Sequence, residues 1–513
     1  MHKSYPFVRC WHSFYLHHHI SNKLLEFYHK SRYLKIVKIL LVNPPDKHFS
    51  RLAGPNQANF IHHTNAPPMG LLYLKAYLKQ KTDFEVQLWN SQSPSAPGEK
   101  GLRAKLLEFQ PNMAGITTTT GNWYDARETA RLIKSVLPQC HVIVGGVHTS
   151  IYPEETLAQS EIDSIAIGEG EDSLLELAVR LSASQSLEGI HGIWFKSNGK
   201  IIRNPPRAVE KNLDRFPFPD RSDFSPEQYR LSADRFSRAA IIITSRGCPF
   251  HCTFCCTIDK HYRSRSPENI VAEMLACKEQ GYLAIDFYDD IFNINKNRVL
   301  KLCDEIIRQN VNLPWICRCR VSPMDEEMIA KMASAGCERI QFGVESASQR
   351  ILDMIKKQIT PEQARQAFAL AKKYNILTLG YFMIGFPTET REEAQATIDF
   401  AFELDPDFAM FHCLIPVPGS EIYEQAIRSP GFFGDYGREF ARNPSPNFVW
   451  RSWSTTLTES EQFKLIRSAF LKFYFRPRYI LRSLKKLSSL EDFFAKAQTA
   501  LKILSTSARS SKI

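Results

Sequence analysis

Apolar runs along this chain are short and regularly spaced, and small or polar residues close each of them. The runs at 38–42, 141–144 and 164–167 end in Asn-Pro-Pro, Gly-Gly and Gly-Glu-Gly-Glu, and stretches with helical spacing lie between them. Strands that alternate with helices are typical of a parallel sheet covered on both faces, which binds ligands beyond the carboxyl ends of its strands. The pattern predicts an α/β protein whose domain over 35–189 is doubly wound (Rossmann-like).

A second series of strand–helix units follows over 239–429. Its apolar runs lie at 240–244, 283–287, 315–320, 339–344, 379–384 and 408–415. Six units are too few for the eight of a complete barrel, so the pattern predicts a partial (β/α)6 barrel. Polar residues again stand at the strand ends, where α/β enzymes place their chemistry.

The remaining segments differ from these two domains. Residues 1–34 have no clear period and are interpreted as an N-terminal extension. Residues 190–238 contain a hairpin pattern and several prolines, which predict a linker held extended. Residues 430–513 are predicted to be a helical C-terminal region, in which a Thr458–Glu461 capping pattern begins a helix and 505–513 form a disordered end.

Charge and composition narrow the class of protein. The length of 513 residues predicts two or three domains, and 43% hydrophobic and 23% charged residues fit a globular protein. The net charge is +11. The basic residues cluster near both ends: Lys23, Lys30, Arg32, Lys35, Lys38, Arg476, Arg478, Arg482, Lys485 and Lys486. Solvated basic faces are the preferred interpretation over a surface for nucleic acid or an anionic membrane, because no nucleic-acid-binding motif accompanies the charge. No export signal or membrane-spanning run is evident, so we expect a cytoplasmic protein and no nucleic-acid partner.

A cysteine-rich loop follows the first strand of the second series. Cys248, Cys252 and Cys255 have the spacing C-x3-C-x2-C. Three thiolates on one loop can bind three irons of a cubane cluster and leave the fourth iron open to a substrate. The alternative is a structural zinc site, for which Cys256 or His251 would supply the fourth ligand.

The loop resembles the signature of the radical S-adenosylmethionine superfamily, C-x3-C-x-aromatic-C, in which Phe254 fills the aromatic position. The resemblance covers about residues 240–425 and includes the partial barrel of that family. It implies that Cys248, Cys252 and Cys255 hold a [4Fe-4S] cluster that binds S-adenosylmethionine. It also implies that one electron then cleaves this cofactor to methionine and a 5′-deoxyadenosyl radical.

The same resemblance implies S-adenosylmethionine contacts at the strand ends. The residues at these positions are Asp289, Asp290, Arg320, Glu345, Ser346 and Gly385. Asp289 and Asp290 would suit the methionine ammonium, with helix capping as the structural alternative. Glu345 and Ser346 correspond to contacts with the ribose, Gly385 to the strand along the adenine, and Arg320 to a contact with the carboxylate.

The N-terminal domain resembles the cobalamin-binding domain of the cobalamin-dependent radical subclass. The residues that carry this resemblance follow four predicted strands: Asn43, Pro44, Thr117, Thr118, Gly145, Gly146, Gly168 and Glu169. The cobalt-binding pattern D-x-H-x-x-G is incomplete, because Arg51 stands in its glycine position. Neither His48 nor His148 is therefore expected to bind cobalt. The alternative is a domain of this fold that binds no cofactor.

Together the two resemblances imply a radical enzyme that methylates an unactivated carbon of a small-molecule substrate. They imply an electron donor such as flavodoxin or ferredoxin. An alternative is an oxidative cyclase like the anaerobic magnesium-protoporphyrin monomethyl ester cyclase, whose domain order and helical tail the chain resembles. A non-catalytic cobalamin or redox sensor and a methylthiolating tRNA enzyme are further alternatives. The basic, aromatic C-terminal region would suit a flat or anionic substrate, or peripheral contact with a membrane.

Overall fold

A computed structural model describes residues 37–48, 66–93, 96–228, 238–432 and 434–485. The chain divides into two compact units. The first comprises Met1–Pro45, Gly70–Val209 and Pro217–Asp220, and the second comprises Asp46–Met69, Glu210–Phe216 and Arg221–Ile513. The predicted extension over 1–34 and the predicted disordered end over 505–513 lie outside the described residues.

The first unit is built on a seven-stranded sheet. Its strands, β1 to β7, are Lys38–Asn43, Glu85–Asn90, Met113–Thr117, His141–Gly145, Ser164–Ala166, Ile193–Ser197 and Lys200–Arg203. Strands β1 to β5 are parallel and stand in the order β2-β1-β3-β4-β5. This is one of the two common orders of a doubly wound sheet, and it confirms the predicted fold class. The helices, α1 to α6, are Met69–Lys81, Gly98–Phe109, Trp123–Val136, Val147–Ile151, Pro153–Leu157 and Glu171–Ser182.

The hairpin predicted within the linker extends this sheet. Strand β6 pairs antiparallel with β5, through Ser164 with Phe195 and Ala166 with Ile193, and β7 pairs with β6. Ile193 and Phe195 are buried, so pairing with β5 removes apolar side chains from water. The segment from 190 to 203 is therefore part of the first unit, and the proline-rich stretch begins after it.

The second unit contains six parallel strands in sequence order. They are β8, Ala239–Ile242; β11, Ala284–Phe287; β12, Trp315–Cys319; β13, Cys337–Glu345; β14, Leu377–Ile384; and β15, Phe408–Cys413. A short antiparallel pair, β9 at Ser245–Arg246 and β10 at Arg263–Ser264, follows β8. This arrangement confirms the six predicted strand–helix units.

Helices cover one face of the second sheet and continue into the C-terminal region. They are α7 to α16: Pro267–Glu279, Lys296–Arg308, Glu326–Ser334, Gln349–Met354, Pro361–Lys373, Arg391–Leu404, Glu421–Ile427, Tyr436–Arg442, Glu459–Tyr474 and Pro477–Lys485. Within the described ranges, none of the helices is long and apolar enough to cross a membrane.

The strands of the second sheet present alternating side chains to two different environments. On β11, Ile285 and Phe287 pack in the large core that the helices share, where Phe287 meets Trp315 with ring centroids 5.3 Å apart. Ala284 and Ile316 belong to a separate small cluster on the opposite face. The face away from the helices is therefore the interior of the partial barrel.

Helix α15 covers strand β15, which is the last strand of the sheet. It begins with the predicted capping box, in which Thr458 accepts from the amide of Glu461 and the Glu461 carboxylate accepts from the amide of Thr458. The hydroxyl of Tyr474 donates to the carbonyl of Ala409 over 2.8 Å and accepts from its amide over 3.1 Å. The aromatic part of the C-terminal region is thus used to close the sheet edge.

Candidate active site

The three cysteines of the C-x3-C-x2-C loop lie between β9 and β10. Cys248 is buried, Cys252 is partly exposed and Cys255 is exposed, and all three are free thiols. Gly247 begins the loop with a φ of 82°, and a Cβ there would lie 2.4 Å from the carbonyl oxygen of His261. Because only glycine fits this left-handed and crowded position, the turn requires Gly247 before the first cysteine.

Backbone contacts fix the loop against two other segments of the second unit. The amide of Thr253 donates to the carbonyl of Ile355 over 3.0 Å, and Cys252 Sγ lies 3.9 Å from the carbonyl oxygen of Lys356. The amide of Ile422, in α13, donates to the carbonyl of Thr253 over 2.9 Å. The segment after α10 and the start of α13 therefore set the position of the cysteines.

The thiols also influence one another electrostatically. Burial is the main cause of the raised pKa of the Cys248 thiol. The charges of Cys255, Asp290 and Cys252 raise this pKa further, so these groups share one region. Among the described residues, no three His, Cys, Asp or Glu side chains lie close enough together to bind a single metal ion. A cubane cluster binds its thiolates through different irons, which holds them farther apart, and three free thiols on one fixed loop fit that arrangement.

Arg320 directly follows β12 and carries a buried guanidinium to the cysteine loop. Its Nη1 lies 3.8 Å from Cys252 Sγ, and its Cζ lies 3.8 Å from the centroid of the Phe250 ring. Its Nη2 donates to the carbonyl oxygen of Lys357. The structure thus places a positive charge beside a cysteine sulfur, a contact that the sequence did not predict for Arg320.

Asp289 and Asp290 follow β11 and have different surroundings. Asp289 is buried, and its carboxylate accepts from the amides of Thr244, over 2.6 Å, and Ser245, over 3.1 Å. It also lies 3.9 Å from Nη2 of Arg298. These contacts tie the end of β8 to the loop after β11, so the Asp289 carboxylate has a structural role that is neither the implied contact with the methionine ammonium nor the alternative of a helix cap. Asp290 is exposed near the cysteine loop.

Glu345 ends β13 with a left-handed φ of 65° and forms a buried ion pair with Lys357. Lys357 Nζ donates to Glu345 Oε1 over 2.6 Å. Gly343 makes space for this pair, since a Cβ there would lie 2.7 Å from Glu345 Oε1 and 2.9 Å from Lys357 Nζ. Lys357 Nζ also lies 5.7 Å from the centroid of the Phe254 ring. The pair therefore connects a strand end to the aromatic position of the cysteine loop.

Ser346 and Gly385 make internal contacts. Ser346 is fully buried, and its Oγ lies 3.1 Å from Thr397 Oγ1 and accepts from the amide of Ser348. Gly385 has a φ of 86°, and a Cβ there would lie 2.4 Å from Gln462 Oε1, on α15. The missing side chain of Gly385 therefore admits a residue of the C-terminal region, which is an arrangement that the sequence did not predict.

In the first unit, four loops stand side by side at the carboxyl edge of the sheet. They follow β1, β3, β4 and β5, which are neighbours in it. The predicted residues in these loops are Asn43, Pro44, Thr117, Thr118, Gly145, Gly146, Gly168 and Glu169. The structure brings all of them to this edge, where Asn43 Nδ2 also donates to Asn90 Oδ1 over 2.8 Å.

Two glycines at this edge, Gly146 and Gly168, have positive φ angles. Gly146 has a φ of 117° and a ψ of −169°, and a Cβ there would lie 2.3 Å from the carbonyl oxygen of Thr118. At Gly168, with a φ of 82°, no atom lies within 4 Å of the Cβ position. Gly146 therefore lets the ends of β3 and β4 approach each other, and the open space at Gly168 fits the close approach of a flat macrocycle or its nucleotide tail.

His148 is a packing residue of the first unit. It is fully buried and stacks on Trp123 with ring centroids 4.4 Å apart, and its Nδ1 lies 3.2 Å from Thr120 Oγ1. Burial lowers the pKa of the imidazole to about 3, so the ring is neutral. This position matches the expectation that His148 packs within the domain.

Two residues of the site, Lys357 and Gly247, were not predicted from the sequence. Lys357 has no local signal, because its partner Glu345 stands 12 positions earlier and only the strand end brings them together. Gly247 does have a signal, since a glycine directly before the first cysteine indicates a turn of unusual backbone conformation.

Comparison with known proteins identifies both units. The family model of the radical SAM superfamily matches residues 242–401, and that of the B12 binding domain matches residues 63–178. The structure adds that β1, which precedes the second match, pairs between β2 and β3. These two domains imply a [4Fe-4S] cluster, S-adenosylmethionine and cobalamin as the cofactors.

Three similar proteins share most of the chain. An anaerobic magnesium-protoporphyrin IX monomethyl ester cyclase of Rubrivivax gelatinosus is 29% identical over 373 residues, which are 70% of this chain and 66% of the cyclase. The structure of TsrM, a radical S-adenosylmethionine methyltransferase from Kitasatospora setae with cobalamin and a [4Fe-4S] cluster bound, has the same fold. It aligns with a TM-score of 0.72 at 20% identity, over 93% of this chain and 100% of that one.

The third relative extends over nearly the whole of both sequences. An uncharacterized methyltransferase of Pyrococcus horikoshii is 34% identical over 465 residues, which cover 88% of this chain and 95% of the relative. The alignment with this relative spans nearly the whole of both chains, and both family models match within this chain. The chain belongs to the cobalamin-dependent radical S-adenosylmethionine methyltransferase family.

Proposed function

We propose that this enzyme transfers a methyl group to an unactivated carbon of a small-molecule substrate. One observation carries the proposal. Cys248, Cys252 and Cys255 are free thiols on one anchored loop, directly after the first strand of a six-stranded parallel sheet, in a chain with a B12-binding domain. When bound, the cluster and S-adenosylmethionine supply a 5′-deoxyadenosyl radical, and cobalamin supplies the methyl transfer.

The residues of the second unit have separate tasks in this proposal. The thiolates of Cys248, Cys252 and Cys255 hold three irons and leave one iron open for the methionine moiety. The exposed Asp290 accepts hydrogen bonds from the methionine ammonium, because the Asp289 carboxylate is already occupied by backbone amides. Glu345, fixed by its ion pair with Lys357, receives the ribose hydroxyls.

The residues of the first unit hold cobalamin by backbone approach. The four adjacent loops expose Gly145, Gly146 and Gly168 and carry Thr117 and Glu169 beside them. No protein imidazole is assigned to cobalt in this proposal.

The second candidate reaction is an oxidative ring closure. The observation that favours it is the 29% identity to the magnesium-protoporphyrin monomethyl ester cyclase over 70% of this chain. For this reaction, the substrate-binding region of the enzyme would have to accommodate a flat tetrapyrrole. The two reactions differ in product, because only the methyltransferase moves a methyl group from S-adenosylmethionine to the substrate.

An electron donor and a reducing compartment belong to the proposal. Radical S-adenosylmethionine enzymes need a reductant, and we propose a flavodoxin or ferredoxin for this role. All eleven cysteines in the described part of the chain are free thiols. Free thiols are typical of a reducing compartment such as the cytoplasm, which we propose as the location.

The C-terminal region supplies a surface for peripheral contact with an anionic membrane. Ile480 and Leu481, on α16, are 40% and 60% exposed, and Arg478 lies beside them. Arg478 Nη2 also lies 3.6 Å from Asp405 Oδ2, and Arg476 is bound to the same carboxylate over 2.7 Å. Changing Ile480 and Leu481 to Ser in the full chain should reduce binding to phosphatidylglycerol vesicles, with neutral phosphatidylcholine vesicles as the control. Equal partition of both proteins would contradict this part of the proposal.

The test of the function is anaerobic reconstitution with iron, sulfide and cobalamin, followed by reaction, in the presence of a low-potential reductant, with S-adenosylmethionine labelled with deuterium in its methyl group. We expect a [4Fe-4S] signal, a cobalamin spectrum, deoxyadenosine and labelled cobalamin. Cys255→Ala should abolish the cluster signal and deoxyadenosine, whereas Cys256→Ala, the adjacent cysteine, should retain both.

Each of the alternatives gives a different result in this experiment. Deoxyadenosine without label on cobalamin would favour the cyclase. Bound cobalamin without any deoxyadenosine would favour a sensor. A cluster that survives in Cys255→Ala would overturn the assignment of the ligands.

A further inference from the structure

The interior of the partial barrel carries a belt of polar and aromatic side chains, which we call the interior belt. It consists of Asp286, Tyr288, Arg318, Gln341 and Tyr381. Four consecutive strands contribute to it, since Asp286 lies on β11, Arg318 on β12, Gln341 on β13 and Tyr381 on β14. Their sequence neighbours Phe287, Cys317 and Phe342 pack in the helix-facing core, so the belt lies on the opposite face.

Hydrogen bonds connect the members of the belt across the strands. Arg318 Nη1 donates to Asp286 Oδ1 over 2.7 Å, and Nη2 lies 3.3 Å from Asp286 Oδ2. Arg318 and Gln341 are direct partners in the register of β12 and β13. The hydroxyl of Tyr381 donates to Gln341 Oε1 over 2.6 Å. The belt is therefore a built arrangement with fixed side chains.

Only the positive member of the Asp286–Arg318 pair reaches the interior space. The side chain of Asp286 is 1% exposed, whereas that of Arg318 is 24% exposed. The ring of Tyr288, which is 50% exposed, lies over the guanidinium with 3.7 Å between Cζ and the ring centroid. A ligand entering the interior therefore meets a cation and an aromatic ring.

Arg318 retains donors for a ligand. A guanidinium has five N–H groups. Nη1 uses its two on Asp286 Oδ1 and the carbonyl oxygen of Phe287, and Nη2 uses one on Asp286 Oδ2. Among the described residues no partner takes the Nε hydrogen or the second Nη2 hydrogen. These two donors lie side by side on one edge of the guanidinium, which is the geometry that binds a carboxylate or phosphate.

The belt also lies close to the proposed chemistry. Arg320, which directly follows β12 and stands two residues after Arg318, reaches Cys252 Sγ. Two residues of a strand span about 6.6 Å, so Arg318 lies one pleat deeper in the barrel than the cysteine loop. A small molecule anchored at Arg318 would extend from there toward the cysteine loop.

We propose that Arg318, held by Asp286 and stacked with Tyr288, binds an anionic group of the substrate, and that the substrate is a small carboxylate or phosphate. This rests on the proposed function and names the substrate class for it. Arg318 is then the specificity-determining residue, and Asp286 is a positioning residue.

The test uses the reconstituted holoenzyme with saturating S-adenosylmethionine and no reductant, so that the methionine site is filled and no cleavage occurs. The probes are 3-phenylpropionate, phenyl phosphate and the uncharged 3-phenylpropanamide, with dissociation constants from ligand-observed NMR. We expect at least one anion to bind more tightly than the amide. Arg318→Gln should weaken the binding of that anion about tenfold or more, which corresponds to the loss of one charge-assisted hydrogen bond.

Matched variants separate binding from folding. Arg318→Lys should lose less affinity than Arg318→Gln, and Arg365→Gln, an exposed arginine paired with Glu403 outside the barrel, should bind as the wild type does. If Arg318→Gln fails to fold because Asp286 is left unpaired, the double variant Asp286→Asn with Arg318→Gln carries the test and should show the same loss.

The proposal is overturned if neither anion binds more tightly than the amide, or if Arg318→Gln binds both anions as the wild type does. Weaker S-adenosylmethionine binding in Arg318→Gln would also overturn it, because the guanidinium would then serve the methionine carboxylate. Deoxyadenosine formation after addition of a reductant distinguishes the two proposals. If Arg318→Gln still forms deoxyadenosine, the proposed radical function is supported. If the wild type forms no deoxyadenosine, that function is contradicted, and the binding result for the probes is unaffected.

Discussion

Nη1 of Arg320 lies 3.8 Å from Sγ of Cys252. Hydrogen bonds and positive charge at a cluster sulfur stabilise the reduced, more negative state. The ring of Phe250 and the carbonyl oxygen of Lys357 hold the guanidinium in place. Arg320 is therefore positioned to raise the reduction potential of a cluster on this loop.

Replacing Arg320 should lower that potential. We expect Arg320→Gln to shift it downward by roughly 50 mV, the equivalent of about 1.2 kcal/mol for a single electron, which is the size of one ordinary hydrogen bond. Potentiometric titration monitored by electron paramagnetic resonance measures the shift. Lys356→Gln is the control, since its side chain pairs with Glu421 over 2.7 Å, and it should shift the potential less. Equal shifts would contradict a specific role for Arg320.

Glu389 should make stability depend on pH in the direction opposite to that of ordinary carboxylates. Burial raises its pKa to about 7 from an ordinary value of 4.5. Between these values the folded protein binds a proton that the unfolded chain does not, so this group's contribution to stability is lost as the pH rises. Glu389→Gln should therefore gain stability relative to the wild type between pH 5 and pH 8, measured by urea unfolding.

A neighbouring acid provides the contrast. The hydrogen bond from Arg350 is the main cause that lowers the pKa of Glu393 to about 2. Its contribution to stability is present above pH 4.5 and is lost as the pH falls toward 2. Glu393→Gln should accordingly lose stability relative to the wild type at neutral pH. The raised pKa of Glu389 is contradicted if Glu389→Gln and the wild type show the same dependence of stability on pH.

Gly145, which ends β4, and Gly146, which follows it, should differ in their tolerance of alanine. At Gly146, a φ of 117° and a ψ of −169° are open essentially to glycine alone, and a Cβ would lie 2.3 Å from the Thr118 carbonyl oxygen. Gly146→Ala should cost about 1–3 kcal/mol and weaken cobalamin binding. At Gly145, a Cβ would make only an ordinary contact, 3.5 Å from Ala166 Cβ. Unfolding curves and cobalamin spectra of both variants test this, and similar losses would contradict it.

The hydroxyl of Tyr474 should matter for the edge of the second sheet. Tyr474→Phe leaves the amide and the carbonyl of Ala409 without their partner, and we expect a loss of about 1–3 kcal/mol. Tyr374→Phe removes a hydroxyl bound to Glu326 in an exposed position, and its effect should be small. Urea unfolding of the two variants provides the measurement. A Tyr474→Phe variant as stable as the wild type would show that the hydroxyl does not hold the edge.

The fold and the position of the site were predictable because they depend on local patterns. Short apolar runs closed by Gly, Pro or Asp predicted the six parallel strands of the second unit, and the loop from Cys248 to Cys255 directly follows the first of them. The hairpin around 193–203 was recognised, but its place in the first sheet was not. Which strand it joins depends on pairing with β5, a contact with residues about 30 positions away.

The sequence alone determined the chemistry that spacing can encode, namely three thiols on one loop and glycine-rich loops after parallel strands. Only the tertiary structure decided how the remaining side chains are used. In the folded chain, Asp289 and Ser346 form internal hydrogen bonds, and Gln462 packs against Gly385. Glu345 pairs with Lys357. Arg320 lies beside Cys252. The physical reason is that a ligand triplet within eight residues is constrained by chain connectivity, whereas the partner of a charged side chain depends on which strands and helices pack around it.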